Sequence, residues 1–302
     1  MECMNAIQQE FKKMGITFYC NEPLAQHTSF QIGGPADLFC TPSSIAQLAD
    51  IIRICKKNNV RYYLLGNGSN LLFSDSGFRG VVISTTTIAP ELVVDETGFI
   101  TADAGRSLKE ICEAAAEHSL TGLEFAYGIP GSLGGAVYMN AGAYGGEMKD
   151  VLYSVDCIDD AGEIRTLPLC ELELGYRTSI FERTGWCVLR AKIQLKKGDA
   201  SQIHQTMSDL MQRRKDKQPL EYPSAGSAFK RPVGAFAGGL IDQCGLRGFQ
   251  VGGAAISQKH CGFIVNMGNA TCQNVLDLAN QVSEIVEKQT GFKLEKEIRV
   301  VK

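Results

Sequence analysis

Proline is scarce in this chain, nine residues in 302, so its irregular stretches are not proline-rich linkers. With 44% hydrophobic and 21% charged residues, disorder and fibre architectures are excluded too, and the length suits a large core in two domains. An excess of one charge is also missing. Thirty basic residues against 33 acidic ones leave a net charge of −3, which gives no global field for nucleic acid or an anionic membrane, although a local anion site stays open. No apolar run approaches the roughly 18 residues of a membrane span, and Met1-Glu2-Cys3-Met4-Asn5 has neither the basic nor the apolar region of a leader. The expectation is a cytoplasmic protein with neither a membrane nor a nucleic-acid partner. Eleven cysteines form no CxxC pair and are odd in number, which reads as free, mostly buried thiols in a reducing compartment. The four histidines are scattered, so no metal site is expected.

What the chain has in surplus is glycine, 32 residues, about one in ten against a usual share of roughly 7%. They group at 66–68, at 122–146 and at 226–268. The signals around them alternate between helix and strand. Ser44 with Gln47 makes a capping pattern ahead of Ile45, Leu48, Ile51, Ile52 and Cys55 at helical spacing, ending near Asn58-Asn59. Residues 60–65 read as a strand, and Leu71-Leu72-Phe73 and Val81-Val82-Ile83 as extended segments. Ser107 with Glu110 heads a second helix, and strands are expected at 151–158, 163–168 and 187–195. From about Asp199 the texture changes, and an amphipathic helix runs to Arg213-Arg214-Lys215-Asp216-Lys217. Beyond it come a strand at 262–266, a helix closing at Gly291 and a last strand from Leu294 to Val301. Both halves are therefore mixed α+β.

Gly66-Asn67-Gly68-Ser69-Asn70 ends a strand, and such a turn either aims successive backbone N–H groups at one anion, as a pyrophosphate requires, or is only a tight structural turn. Both readings stay open on the local pattern. No helix follows, so a Rossmann dehydrogenase is disfavoured. The 122–146 cluster is denser. Its small residues at 131, 132, 134, 135 and 136 would let a flat ligand lie against the chain, Pro130 fixes the approach, and Asn140 adds a donor and an acceptor. Close-packed loops can look alike, but the entropy cost of so many glycines favours a ligand.

Three runs of residues carry a resemblance. They are His27-Thr28-Ser29-Phe30-Gln31-Ile32-Gly33-Gly34-Pro35-Ala36, then Gly66 to Asn70, then Gly128-Ile129-Pro130-Gly131-Ser132-Leu133-Gly134-Gly135 through Asn140-Ala141-Gly142-Ala143-Tyr144-Gly145. Together they resemble the flavin-binding half of the UDP-N-acetylenolpyruvoylglucosamine reductases. Gly175-Tyr176-Arg177-Thr178-Ser179-Ile180-Phe181, Ala225-Gly226-Ser227-Ala228-Phe229-Lys230 and Leu294-Glu295-Lys296-Glu297-Ile298-Arg299 resemble, in order, the three motifs that carry chemistry in that family, in its shorter form. The resemblance implies an α+β fold. A two-subdomain FAD-binding domain of the vanillyl-alcohol-oxidase/PCMH type would occupy 1–200, split near 85, with a smaller α+β substrate domain over 201–302 closing on it.

It also implies bound FAD, NADPH as co-substrate, and reduction of an enolpyruvyl ether on a UDP-sugar to a lactyl ether in peptidoglycan synthesis. Thr28, Gly66, Asn67, Gly68, Ser69, Asn70, Gly128, Ile129, Pro130, Gly131, Gly134, Asn140 and Ala141 would hold the FAD. Tyr176, Arg214, Lys217 and Lys230 would hold the substrate, and the chain would act as a monomer by a ping-pong scheme. Hydride delivered to the vinyl carbon leaves negative charge on the neighbouring carbon and carboxylate, so the site needs a cation and a proton donor. By resemblance Arg177 is the cation, Ser227 the donor, and Glu297, held protonated by burial, a partner for the charge. Glu295 and Glu297 lie on one expected strand and share a face, so periodicity leaves the choice between them open. His260 is given no role, and Gly238, Gly239, Gly245, Gly248, Gly252 and Gly253 are expected to serve packing. Two rivals remain: another FAD-linked oxidoreductase of the same fold, and a non-catalytic UDP-sugar-binding module.

Overall fold

Short local signals determine where two helices of the first half begin. In the computed structural model, which describes residues 2–88 and 91–302 and the side chains from Met4 onward, Ser44 Oγ accepts from Gln47 N at 3.2 Å. The helix Ile45–Lys57 that follows buries Leu48, Ile51, Ile52, Ile54 and Cys55. Asn58 caps it and Asn59 turns away with φ +52°. Ser107 and Glu110 form a complete reciprocal capping box at the head of Leu108–Glu117. The expectation for the Cys3 thiol lies outside the described residues; the other ten cysteines are free, and Cys20 and Cys170 are exposed.

The chain folds as two compact units that are not continuous in sequence. One holds residues up to Cys20, 38–67 and 80–213; the other holds 21–37, 68–79 and 214–302. This differs from the uninterrupted division at 200/201 that the sequence suggests. The physical reason for the difference is long-range. Leu71–Phe73 pairs in parallel with Arg299–Val301, and Phe30, Ile32 and Leu72 join the core of the C-terminal residues.

The first unit has two apolar cores. One forms around a four-stranded sheet ordered 18–23, 35–40, 78–84, 62–65, the last two strands being parallel. Ile7, Phe11, Leu38, Leu48, Ile51 and Ile83 are fully buried there. Ile7 and Phe11 come from a helix, Glu2–Lys13, that is not among the elements expected from sequence. The other core lies on an antiparallel sheet ordered 164–168, 152–158, 187–194, 99–103, 92–94. Leu108, Ile111, Leu133 and Val137 pack on it from two helices, against Val155, Ala191 and Ile193.

The second unit is built on an antiparallel sheet ordered 224–227, 263–266, 254–256, 250–251, with helices Ala237–Gln243 and Cys272–Thr290. Thr271 and Asn274 cap the long helix, and Gly291, at φ +76°, ends it. Gly253 earns its place by packing, since a Cβ there would come within 2.5 Å of Ala270 N and Gly268 O. Among the described residues no helix is long and apolar enough to cross a membrane, and no cluster of His, Cys, Asp or Glu could hold a metal.

Candidate functional site

In the first unit the two glycine clusters meet. The strand Tyr62–Leu65 delivers Gly66 to the turn at 131–134, where a Cβ on Gly66 would stand 2.3 Å from Ser132 Oγ. Backbone bonds pin that turn to the 104–108 segment: Leu108 N to Gly131 O at 3.0 Å, Leu133 N to Arg106 O at 2.8 Å and Gly134 N to Ala104 O at 2.8 Å. Ser132 is 1% exposed and its Oγ has no hydrogen-bond partner. A buried hydroxyl left so costs about 1–3 kcal/mol, so Ser132 is able to take a hydrogen bond from a bound group. In sequence Ser132 reads only as a small residue, and its hydroxyl, between Gly131 and Gly134, is the signal that sets it apart.

Several expected cofactor residues turn out to be occupied within the protein. The amides of Ile129 and Gly131 bond to Ala126 O and Ile129 O, and a Cβ on Gly134 would press on Ala104 at 2.9 Å. Asn140, expected to offer a side-chain donor and acceptor to a ligand, is fully buried and spends both on protein partners. Ala141 is half-buried and bonds to Ala136 O and Met148 N, and Pro130 stands exposed beside the turn.

Tyr176 and Arg177 form the tip of a tight turn closed by the Gly175–Thr178 bridge. Arg177 has φ +58°, uncommon for a non-glycine residue and of the kind that collects at functional sites. Its guanidinium is half-buried, stacks over the Tyr176 ring at 5.1 Å and donates from Nη2 to Gly142 O at 3.1 Å.

In the second unit Gly68 packs where only glycine fits, a Cβ there falling 2.2 Å from His27 O. Thr28, beside it, is buried with its hydroxyl on Ile32 O at 3.4 Å, and Ser29 Oγ donates to Ser224 O at 2.6 Å. Asn70 reaches the C-terminal residues: its Nδ2 donates to Glu297 O at 3.3 Å, and its carbonyl accepts from Arg299 N at 3.0 Å. The strand Ser224–Ser227 slips register against 263–266, and Gly226, at φ +73°, takes up the extra residue, which leaves Ser227 exposed. Glu297 N then donates to Ala228 O at 2.9 Å, placing that glutamate directly after Ser227 across the ladder.

The two glutamates thereby part company. Glu295 lies exposed, and Lys230 Nζ pairs with it at 3.4 Å, whereas Glu297 is half-buried. Lys230, expected on the substrate, thus has its ammonium against a surface carboxylate. Arg214 and Lys217 sit one turn apart at the end of Ala200–Lys217, the first half-buried and the second exposed. Lys217 lies near His260, whose ring burial holds below the usual imidazole range, with Arg247 and Lys217 pushing the same way.

Comparison with known proteins bears on both units. A family model described as UDP-N-acetylenolpyruvoylglucosamine reductase, C-terminal domain, matches residues 218–301, and one described as FAD binding domain matches 36–168. The UDP-N-acetylenolpyruvoylglucosamine reductase of Lachnoclostridium phytofermentans is 50% identical, over 98% of this chain and 97% of its own. That of Caldanaerobacter subterraneus subsp. tengcongensis is 48% identical, over 94% and 93%. The crystal structure of UDP-N-acetylenolpyruvylglucosamine reductase from Thermus caldophilus superposes with a TM-score of 0.79 at 36% identity, covering 95% of this chain and 99% of that one. Physcomitrella patens BBE-like 1, at 16% identity and a TM-score of 0.52, shares the fold alone over 63% of this chain and 44% of its own.

Proposed function

The chain belongs to the UDP-N-acetylenolpyruvoylglucosamine reductase family, and from that membership we propose how its residues divide the work. It is an FAD-dependent oxidoreductase that uses NADPH to reduce UDP-N-acetylenolpyruvoylglucosamine to UDP-N-acetylmuramate in peptidoglycan precursor synthesis. Its α+β fold carries an FAD-binding domain of the vanillyl-alcohol-oxidase/PCMH type.

The residues fit that cofactor. Ser132 Oγ is a buried hydroxyl with an unmet hydrogen bond, beside a glycine whose missing side chain keeps the approach clear, as a pyrophosphate oxygen requires. Gly66, Asn67 and the 128–132 turn would hold FAD in the first unit, and Thr28 and Gly68 to Asn70 are further candidates for contact with it. Bound FAD supplies the two-electron transfer between NADPH and the enolpyruvyl group.

The remaining chemistry belongs to side chains. Arg177, permanently charged and able to pair with both carboxylate oxygens, holds the enolpyruvyl carboxylate and offsets the charge that builds there. Ser227 gives its hydroxyl proton to the carbon adjacent to the one that receives hydride, and Glu297 shares the developing charge. The observation that carries this assignment is the 2.9 Å bond from Glu297 N to Ala228 O, which registers the acid against the residue next to Ser227. Arg214 and Lys217 take the diphosphate of the UDP-sugar, Tyr176 packs on the sugar, and Lys230 supplies a further cation for the substrate. The enzyme works as a cytoplasmic monomer.

Absorbance spectroscopy tests this reading. The purified protein is expected to be yellow, to bleach under anaerobic NADPH, and to regain its colour when the enolpyruvyl sugar is added. A protein that stays colourless after reconstitution with FAD would contradict it. Light scattering on a size-exclusion column checks the monomer.

A further inference from the structure

Asn140 has its whole side chain committed close to the turn that carries Arg177. It is fully buried, at φ +40°, a conformation asparagine tolerates better than most residues. One proton of its Nδ2 goes to Glu147 Oε2 at 2.7 Å and the other to Gly175 O at 2.9 Å, while Oδ1 accepts from Lys149 N at 2.9 Å. Both donor protons and the carbonyl are therefore used within the protein. Gly175 opens the turn whose tip is Tyr176 and Arg177, and the Arg177 guanidinium donates back to Gly142 O, two residues beyond Asn140. The far end of the same turn is tied to this segment as well, since buried Ser179 donates from Oγ to Tyr138 O at 2.7 Å.

We propose that Asn140 is a positioning residue that fixes where the Arg177 guanidinium stands, with Ser179 holding the other end of the turn. This rests on the reading of Arg177 as the partner of the substrate carboxylate. The geometry favours it over direct cofactor contact, because an amide with every hydrogen-bonding group committed has little left to offer a ligand. Arg177 sits at a backbone conformation rare for a residue with a side chain, φ +58°, and such conformations persist only where the surroundings over-determine them. Asn140 and Ser179 provide that restraint. A guanidinium displaced by even 1 Å loses its alignment with a carboxylate, at a cost on the order of 100-fold in rate.

A double-mutant cycle tests the proposal, with Asn140→Ala, Arg177→Ala and the double variant followed by stopped-flow in each half-reaction and by flavin-to-protein ratio. Asn140→Ala alone is expected to slow the enolpyruvyl-sugar half-reaction about 10- to 100-fold, leave reduction by NADPH within about twofold, and keep the flavin ratio of the parent. On the Arg177→Ala background the same change is expected to add less than about twofold. Losses that multiply independently, or flavin lost from Asn140→Ala, would overturn the positioning role. If Arg177→Ala itself leaves the sugar half-reaction intact, the carboxylate reading fails, and the positioning role fails with it. Should Asn140→Ala not fold, Ser179→Ala carries the same cycle, again with non-additivity toward Arg177 as the expected result and independence as the contrary one.

Discussion

Gly66 approaches Ser132 so closely that a methyl group on the glycine would stand 2.3 Å from the serine Oγ, and that hydroxyl is buried with no partner. Removing the hydroxyl should therefore move two quantities in opposite directions. Ser132→Ala is expected to raise the melting temperature of the flavin-free protein, because an unmet buried group costing about 1–3 kcal/mol is gone. The same variant is expected to weaken FAD binding about tenfold, since one hydrogen bond to the ligand is lost. Thermal melts of apoprotein and a fluorescence titration with FAD read the two effects. An unchanged FAD affinity would remove Ser132 from the cofactor site. Gly66→Ala should also weaken FAD binding, as its Cβ would displace the Ser132 hydroxyl.

Glu295 and Glu297 should behave as different residues although they lie two positions apart, because the last strand, Arg299–Val301, begins beyond both of them and not at Leu294 as the sequence suggests. Glu295 is exposed and pairs only with Lys230, an interaction worth about 0–1 kcal/mol, so Glu295→Gln is expected to leave turnover within about twofold. Glu297→Gln is expected to lower kcat by about 100-fold or more with the sugar while sparing reduction by NADPH. Steady-state and single-turnover rates of the two variants, measured side by side, check the assignment, and an equal response from both would overturn it.

Cysteine labelling reports on the packing of the first unit. Burial pushes the Cys187 thiol up to about 12 and the Cys55 thiol to about 12, and raises Cys40 and Cys112 as well. At pH 8 a thiol near 12 is ionised in only about one molecule in ten thousand, and it is also out of contact with solvent. Iodoacetamide followed by mass spectrometry should modify Cys20 and Cys170 within minutes and leave Cys40, Cys55, Cys112 and Cys187 untouched until denaturant is added. Rapid native labelling of Cys187 would contradict the buried strand that carries it.

The parts of this fold that could be read from sequence are those specified locally. The helices at 45–57 and 108–117 announce themselves through Ser44 with Gln47 and Ser107 with Glu110, because a cap and its partner lie three residues apart. The helix Glu2–Lys13 was not legible, its buried Ile7 and Phe11 being set among Asn5, Gln8 and Gln9. Nor was the assignment of 21–37 and 68–79 to the second unit, which depends on Leu71–Phe73 pairing with the last strand of the chain. Arg177, Ser227 and Glu297 were legible only through the resemblance of the motifs around them. The commitments of Asn140 and the separation of Glu297 from Glu295 depend on neighbours distant in sequence, which spacing alone does not encode.

Ser227 carries the most specific chemical step, and its variant tests that step most directly. In anaerobic stopped-flow, Ser227→Ala is expected to be bleached by NADPH at a rate within about twofold of the parent, and to recover its flavin absorbance with the enolpyruvyl sugar about 100- to 10,000-fold more slowly, the range general-acid catalysis commands. Equal slowing of both half-reactions, or unimpaired recovery with the sugar, would contradict Ser227 as the proton donor.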